Sequence, residues 1–539
     1  MHDLSWPPQA PELATIISAW ACAPSSHPTI GDWRRSGWHR GVGAPGTTSQ
    51  SVFDGSHHGI RPDDKKDQAE AMQAALDELG ASGGGVLQLA EGRYMLSRPV
   101  FICHSNVVLR GAGKHRTTLE FPHPLEDVLG RALGPDGISS GWSWNGGQVF
   151  VIARERLEQS QRSDWATTDG HTEGWLAGEL LANVGPAPRG AQVISVEDTS
   201  KLVAGDMVLL DVEIGQDYAT LRHMAGDVAG ARTYDWEGRA SMIAGPERFS
   251  DFRTWSWPVK VVEVLSPRTI RLEQPLKTDI GDGTPARLRD LGPTVHDSGV
   301  EGLTIENALR AQTTHNLNPG SNGLCFQAVY DCWATDVHVV NADCAYSLTS
   351  AKSCTLSGIS AGGRSLHHFV ACRTQSHDNL IEDFELEEFS TPAVRGSYFH
   401  GLNVEGLSSG NVYRRGVLHT GTFDSHRALP FENLRTDITI TNKDAVPGGA
   451  LTAGPYFGAR TVNWGVAVTN GNNLCIDVSD VSPRSITAGI TGLSKPGSIL
   501  PQAGMDFAGD LESETLAFGV DLGEVRDLLE VQRATAPIA

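Results

Sequence analysis

Side chains that carry protons or bind anions are concentrated between residues 368 and 437 of this chain. In order, this stretch contains His368, Arg373, His377, Asp378, His400, Asn403, Glu405, Asp424, His426 and Arg427. Histidine and carboxylate side chains act as general acids and bases, and arginine stabilises developing negative charge. The segment therefore predicts acid–base chemistry on a polar substrate, if the fold brings these side chains together.

The elements that would position these side chains are near-copies of one short pattern, repeated eight times between residues 298 and 480. Each copy is an apolar stretch with period two, and the copies begin at Ser298, Cys332, Cys354, Asn379, Asn411, Asn433, Thr461 and Asn473. A short strand cannot bury its apolar side alone, whereas a stack of copies can. The repeat predicts a parallel β-helix with one coil per copy. The last interval is only 12 residues, so the final copy is interpreted as a capping strand.

The segments that precede the repeat copies predict one outward-facing column. Side chains alternate between interior and exterior along a strand, and neighbouring coils stack about 4.8 Å apart. Counting back six residues from the repeat starts gives Phe326, Leu348, Arg373, Glu405 and Arg427. One extra residue before Asn433 leaves the last position open between Arg427 and His426.

The fifth position of the repeat predicts a second outward column, which contains Asp383, Arg415 and Asp437. The two aspartates would lie two coils apart, about 9–10 Å between backbones, with Arg415 between them. Two carboxylates at about this separation suit an inverting glycoside hydrolase. The alternative interpretation is a surface ladder of ion pairs.

A block from Gly59 to Gly113 precedes the repeats. After Asp63 and Asp64, apolar residues recur at helical spacing until the glycine run 83–85, and short strands follow. The order Asp-Asp, amphipathic helix, Gly-Gly-Gly-Val, Gly-x-Tyr, Val-x-Leu-x-Gly-x-Gly closely resembles the opening of pectate-lyase-superfamily proteins, over about residues 52–121. The resemblance implies an all-β, right-handed parallel β-helix of the pectin-lyase-like type with an N-terminal capping helix. This superfamily contains lyases, hydrolases, esterases and phage tailspikes, so the resemblance implies a fold more than an activity.

The chain divides into five expected regions. They are an irregular N-terminal segment (1–50), the N-terminal cap and first coils (51–121), an insertion (122–297) that includes a small β-domain at about 180–290, the main coils (298–482), and a C-terminal tail and cap (483–539).

The composition limits the partners of the protein. A formal net charge of −21 argues against nucleic-acid or membrane binding, because either usually needs a basic face. The N-terminal apolar run has no basic residues before it and does not read as a secretion signal. The expected location is the cytoplasm, or outside the cell or in the periplasm if a signal was removed. Cys332 and Cys354 share a repeat position and are interpreted as reduced, stacked interior residues.

Three functions fit these observations, and a polysaccharide lyase is slightly favoured. β-Elimination needs a base and a cation that stabilises the resulting enolate. Lyases that resemble this fold often use arginine or lysine as base, which implies Arg427 as the base and Arg373 as the group that neutralises a uronate carboxylate. His426 or His400 would then move a proton. Calcium is kept as an alternative cofactor, although the family's calcium-binding Asp triplet has no match here. No metal-binding histidine site is predicted, because the His pairs lack a third ligand at fixed spacing.

The second function is glycoside hydrolysis or glycosyl transfer by paired carboxylates. The candidate pairs are Asp424 with Glu405 or Asp378, and Asp383 with Asp437. The third is a non-catalytic, glycan-binding module like a tailspike, which would form a homotrimer. In each case the partner is a polysaccharide or oligosaccharide, and the substrate-binding candidates are His368, Arg373, His377, Asp383, Asn403, Arg415 and Asp437.

Overall fold

The computed structural model describes residues 4–41, 51–134, 138–162, 174–215, 217–236, 254–391, 399–426, 428–441, 454–469, 482–494 and 506–536. The α-helices of these residues are α1 (Pro11–Cys22), α2 (Ala69–Ala81), α3 (Leu125–Leu129), α4 (Arg154–Arg162), α5 (Ala219–Met224), α6 (Ala229–Thr233) and α7 (Leu528–Thr535). None of the described helices is both long enough and apolar enough to span a membrane.

The strands form three sheets. Those before residue 298 are β1 (Val52–Asp54), β2 (Gly85–Gln88), β3 (Gly92–Met95), β4 (Val100–Ile102), β5 (Val107–Arg110), β6 (Thr117–Phe121), β7 (Val149–Ile152), β8 (Ala177–Val184), β9 (Val193–Ser195), β10 (Met207–Glu213), β11 (Thr254–Ser266), β12 (Thr269–Leu272), β13 (Ala286–Leu291) and β14 (Val295–His296). Those after it are β15 (Gly299–Asn307), β16 (Leu324–Tyr330), β17 (Trp333–Val340), β18 (Cys344–Lys352), β19 (Thr355–Ser357), β20 (Ser360–Gly362), β21 (His368–Arg373), β22 (Leu380–Glu382), β23 (Glu385–Leu386), β24 (His400–Val404), β25 (Val412–Leu418), β26 (Phe423–Ser425), β27 (Leu434–Ile440), β28 (Val462–Val468), β29 (Ile486–Ala488) and β30 (Glu514–Leu516).

The repeat strands stack into a right-handed parallel β-helix, as the sequence predicts. The longest sheet has the order β1-β2-β5-β15-β17-β19-β22-β25-β27-β28-β29-β30, and its strands pair in parallel. A second sheet, β26-β24-β21-β18-β16-β7-β4, forms another face of the same coils. One continuous apolar core fills the interior between the sheets. Two strands from outside the predicted repeats, β29 and β30, continue the first sheet beyond β28.

Each repeat strand bends at its fifth residue. The seven fifth positions have φ angles between 50° and 65°, in the left-handed region, and are Gly302, Asp336, Gly358, Asp383, Arg415, Asp437 and Gly465. Glycine and aspartate tolerate this conformation better than most residues, which explains why they dominate the column. Beyond the bend, the second halves of the repeat strands pair with β6, β20 and β23 and make a third face.

An asparagine ladder closes one corner of the coils. Asn379, Asn411 and Asn433 occupy the first position of three successive copies, and all three are buried. Asn379 Nδ2 donates to Asn411 Oδ1 at 2.8 Å, and Asn411 Nδ2 donates to Asn433 Oδ1 at 3.0 Å. In the earlier coils the same position holds Cys332 and Cys354, which are also fully buried. The eighth predicted copy, at Asn473, lies outside the described residues.

The remaining segments pack against the β-helix. The apolar side of α2 is buried in the interior core and contacts β2, β4 and β5. Strands β8 to β13 form a separate antiparallel sheet, β8-β13-β10-β11-β12-β9, within the expected insertion, whereas β7 from the same stretch belongs to the β-helix. Within residues 1–50, where composition suggests irregular structure, Leu13, Ile17 and Trp20 form the buried side of α1. This helix and α7 lie against the long sheet.

Candidate active site

A cluster of polar side chains lies on the outer face of the second sheet. Leu402 and Val404 point into the core, so alternation directs the residue between them, Asn403, outward. Asn403 is paired in register with Asp424 of β26. His400, the first residue of β24, is paired with His368, the first residue of β21. Adjacent coils thus bring imidazole, amide and carboxylate groups together.

The backbone ladder also decides which residue follows Asp424 in the outward column. The amide of Glu405 donates to the Cys372 carbonyl at 3.1 Å, and the amide of His426 donates to the Val404 carbonyl at 3.3 Å. This is the continuation of parallel pairing, so Arg373, Glu405 and His426 stand in line. Arg427, the other residue considered for this position, lies outside the described residues.

The expected column is wrong in the earlier coils. Phe326 and Leu348 pair with each other, and Leu348 pairs with the core residue Cys372. Both side chains are therefore interior, and Thr349, not Leu348, pairs with Arg373. The turn before the repeat is one residue shorter in these coils, so counting back six residues passes from the outer to the inner face.

Asp424 organises the cluster. Its Oδ1 lies 2.9 Å from Nδ1 of His400, its Oδ2 lies 2.7 Å from Nδ1 of His426, and Nδ2 of Asn403 donates to Oδ2. The carboxylate is buried. Burial opposes ionisation, but the two neighbouring imidazoles and their hydrogen bonds hold the pKa of Asp424 well below its ordinary value. Asp424 is therefore an ionised acceptor that orients two imidazole rings.

Five imidazole rings form one cluster beside this carboxylate, and they belong to His315, His367, His368, His400 and His426. Of these, His400 and His426 contact Asp424. Ring centroids are 4.2 Å apart for His367 and His368, 4.4 Å for His400 and His426, and 4.8 Å for His315 and His367. Burial, followed by repulsion from the neighbouring rings, lowers the pKa of His367 and of His368 well below the ordinary value. The same causes lower the pKa of His315 to about 4. His315, His367 and His368 are consequently neutral at neutral pH.

Arg373 and Glu405 border the imidazoles. Nε of Arg373 donates to Oε1 of Glu405 at 2.5 Å, and its Nη1 donates to the Trp144 carbonyl at 2.8 Å. The other Glu405 oxygen lies 3.9 Å from Nδ1 of His426. The side chain of His426 is 17% exposed, against 8% for Glu405 and 1% for Asp424. Of these groups, His426 is the most accessible to a substrate.

His377 and Asp378 do not join this cluster. They lie under the insertion, where Trp257 Nε1 donates to Asp378 at 3.2 Å and the Ser256 carbonyl lies 3.1 Å from Nε2 of His377. Asp378 lies 2.9 Å from Nζ of Lys277. Both predicted residues are buried, so their side chains form part of the contact between insertion and β-helix.

Asp383, Arg415 and Asp437, which the sequence places on one outward column, lie at the bends and engage in ion pairs. Both Asp383 oxygens accept from Arg415, at 2.7 and 2.6 Å. Asp437 lies 2.7 Å from Nε of Arg526, in the segment before α7. This arrangement matches the ion-pair ladder that the sequence left open. It does not bring the two aspartates to one accessible site with an unpaired carboxyl.

A separate cavity of about 500 Å³ lies between the N-terminal segment, the insertion and the β-helix. Asp297 lines it, 2.7 Å from Nε2 of His39 and 3.0 Å from Nδ1 of His296. Tyr330 stacks on His296 with 4.9 Å between ring centroids. The repeat pattern does not reveal this second histidine–carboxylate group, because its members come from three distant segments.

Sequence reasoning also missed two contributors to the main cluster. His315 comes from the connection between β15 and β16, and Trp144 comes from the segment before β7. Neither residue belongs to a repeat copy, so no periodic signal marks them. His367 was visible only as half of a histidine pair.

The comparisons with known proteins return structures but no sequence family. No family model matches the chain, and no curated protein matches it. Among solved structures, the tailspike protein gp49 of Pseudomonas phage LKA1 is 13% identical, with 83% of this chain and 74% of that chain covered and a TM-score of 0.47. The tailspike gp61 of Pseudomonas phage phi297 is 11% identical, with 88% of this chain and 76% of that chain covered and a TM-score of 0.34. An exopolygalacturonase from Thermotoga maritima is 9% identical, with 85% of this chain and 80% of that chain covered and a TM-score of 0.31. Similarity at this level assigns no activity.

Proposed function

We propose that this protein cleaves an acidic polysaccharide by β-elimination, with His426 as the proton carrier. The observation that carries the proposal is the Asp424 carboxylate, held 2.9 Å from Nδ1 of His400 and 2.7 Å from Nδ1 of His426. A histidine positioned by a buried carboxylate is suited to proton transfer near neutral pH. The side chain of His426 is also more exposed than those of His400, Glu405 and Asp424.

In the proposed step, Nε2 of His426 removes the proton from the carbon beside the uronate carboxylate. The electron pair forms a carbon–carbon double bond as the bond to the leaving sugar oxygen breaks, and that oxygen takes up the proton that His426 carries. No water is consumed, and the products are an unsaturated uronate and a new reducing end. Arg373, beside Glu405, would help to neutralise the substrate carboxylate. Arg427 remains a predicted alternative base.

Glycoside hydrolysis by Asp424 and Glu405 is the second candidate. Both carboxylates approach the same nitrogen of His426, at 2.7 and 3.9 Å. Hydrolysis needs one carboxyl group that stays protonated as the acid. The lowered pKa of Asp424 and the engagement of both its oxygens argue against that role. Asp378, buried in ion pairs, is not part of this proposal.

The test is an incubation with a panel of acidic and neutral polysaccharides, in which ultraviolet absorbance and new reducing ends are followed together. Elimination predicts that both rise with the acidic polymers. His426→Ala and Asp424→Asn should each lower the rate by at least 100-fold, since they remove the base and its positioning group. His419→Ala is the matched control. His419 directly follows β25 and lies 3.4 Å from Glu385 of β23, outside the cluster.

Each other outcome identifies a different function. Reducing ends without absorbance mean hydrolysis, and the variants of Asp424 and Glu405 then decide which carboxyl group acts. Binding of a polysaccharide without any product means a non-catalytic glycan-binding module. If His426→Ala is as active as His419→Ala while Arg427→Ala is inactive, the base is Arg427 and the role given to His426 is wrong.

A further inference from the structure

We propose that His315, His367 and His400 bind a divalent transition metal ion of the zinc class. One ligand nitrogen from each ring lies within 4.8 Å of the other two. The three residues come from the connection before β16, the connection before β21 and the start of β24. Sequence spacing does not reveal the third ligand, because the tertiary structure brings it in from a distant connection.

Two of the rings are already held in the orientation that a metal ligand needs. Nδ1 of His400 lies 2.9 Å from Asp424, and Nδ1 of His367 lies 3.0 Å from the Ser143 carbonyl. An imidazole whose Nδ1 donates a proton to oxygen presents a lone pair at Nε2, and metal-binding histidines usually have such an oxygen partner. Both rings are more than nine-tenths buried.

The Nε2 atoms of His367 and His400 have no hydrogen-bond partner among the residues that the structure describes. A buried polar atom without a partner costs about 1–3 kcal/mol and is uncommon in folded proteins. Two such atoms in one cluster point to a missing ligand rather than to simple packing of aromatic rings. A metal ion would satisfy both atoms together.

The chemistry of the donors selects the class of metal. Imidazole nitrogen suits zinc, copper, iron and nickel, whereas calcium takes oxygen ligands. The calcium alternative raised by the family resemblance therefore does not fit this group of three rings. A second group, His368, His400 and His426, shares His400.

Three histidine ligands leave a fourth coordination position open for water or for an oxygen of a substrate. A cation bound to His400 would lie near His426, because His400 and His426 both contact Asp424. It could bind the uronate carboxylate and stabilise the enolate. This role rests on the proposed function, whereas metal binding itself does not.

The test measures metal content and affinity of the full chain. Protein stripped with a chelator is titrated with zinc in the presence of a chromophoric competitor, and bound zinc is counted by elemental analysis. The expected result is one equivalent per chain. His315→Ala should weaken binding by at least 100-fold, and Asp424→Asn by about 10- to 100-fold. His419→Ala should bind as the wild type does.

Two results would overturn the proposal: less than 0.1 equivalent of zinc on the wild type, or equal binding by His315→Ala and the wild type. If His315→Ala does not fold by circular dichroism, cobalt substitution of the wild-type protein replaces it as the test. Visible absorption bands of four-coordinate cobalt support the site, and their absence overturns it. Elimination by metal-free protein would remove only the catalytic role of the ion, and zinc binding without any turnover would leave the site standing and the proposed function refuted.

Discussion

Replacing Asp378 by asparagine tests whether this carboxylate is a structural ion-pair partner or a catalytic group. Its oxygens lie 2.9 Å from Nζ of Lys277 and in contact with Nζ of Lys352. Lys277 belongs to the insertion, and Lys352 ends β18. All three side chains are buried. The two lysines hold the pKa of Asp378 well below its ordinary value even though burial opposes this.

The expected loss of stability follows from what each lysine keeps. Lys277 retains Glu432 at 3.4 Å, whereas the neighbour that remains hydrogen-bonded to Lys352 is the neutral amide of Gln274, at 2.7 Å. Removing one partner of a buried ion pair costs about 3–5 kcal/mol. Burial lowers the pKa of Lys352 to about 8 even though the charge of Asp378 raises it. Without Asp378, the pKa of Lys352 should fall further. Forcing a lysine with an ordinary pKa of 10.5 to be neutral at pH 7 costs about 5 kcal/mol, at about 1.36 kcal/mol per pH unit.

The variant should also acquire a characteristic pH dependence. With Lys352 neutral in the folded state, the unfolded chain binds one more proton between the lowered folded pKa and 10.5. Stability therefore rises with pH in this window, by up to about 1.4 kcal/mol per pH unit. In the wild type, the lowered pKa of Asp378 means that its contribution is present at neutral pH and is lost only as the pH falls below about 4.

The assay is guanidinium unfolding, followed by circular dichroism at pH 7 and pH 9. Asp383→Asn is the matched control, because its exposed pair with Arg415 should contribute at most about 1 kcal/mol. We expect Asp378→Asn to lose about 3–5 kcal/mol at pH 7 and to recover part of this at pH 9. A variant of wild-type stability that has lost polysaccharide cleavage would refute the reasoning and return Asp378 to the catalytic residues.

Three further predictions concern the fold. Asn411→Ala, at the centre of the asparagine ladder, should lower the unfolding free energy by about 2–4 kcal/mol because several buried hydrogen bonds are lost, whereas Asn183→Ala at an exposed site should change it by less than about 0.5 kcal/mol in the same unfolding experiment. At the bend, where φ is 55°, Asp336→Val should be about 1–2 kcal/mol less stable than Asp336→Gly, because both variants lose the hydrogen bond from the Lys114 amide and only valine is strained there. Equal unfolding midpoints of the two variants would contradict the left-handed bend. Hydrogen bonds from His296 and His39 lower the pKa of Asp297 despite burial, so their stabilisation is present at neutral pH and lost in acid. Limited proteolysis should then release the N-terminal segment in acid before the coils unfold, and Asp297→Asn should release it already at pH 7.

Much of the fold could be predicted from the sequence, because its determinants are local and repeated. Each copy carries the same period-two pattern, so one register predicts the pairing of the long sheet and the position of Asp383 and Asp437 on one column. The bend at that column was not predicted, because a short polar residue at an exposed position reads equally well as an ordinary outward strand residue. Only the φ angles distinguish the two.

The site was predicted in part. His368, His400, Asn403, Glu405, Asp424 and His426 come together because they lie at equivalent places of successive coils, which a register count can find. His377 and Asp378 lie in the turn directly before the repeat copy at Asn379 and are covered by the insertion. No repeat pattern states what packs on a coil from outside.

The sequence by itself therefore determined the parallel β-helix, because short period-two strands bury their apolar sides only when successive copies stack on one another. Only the tertiary structure decided which outward residues remain accessible, and that His315 and His367 join His400. Those contacts depend on connections without any repeat, whose course is set by packing between segments far apart in the chain.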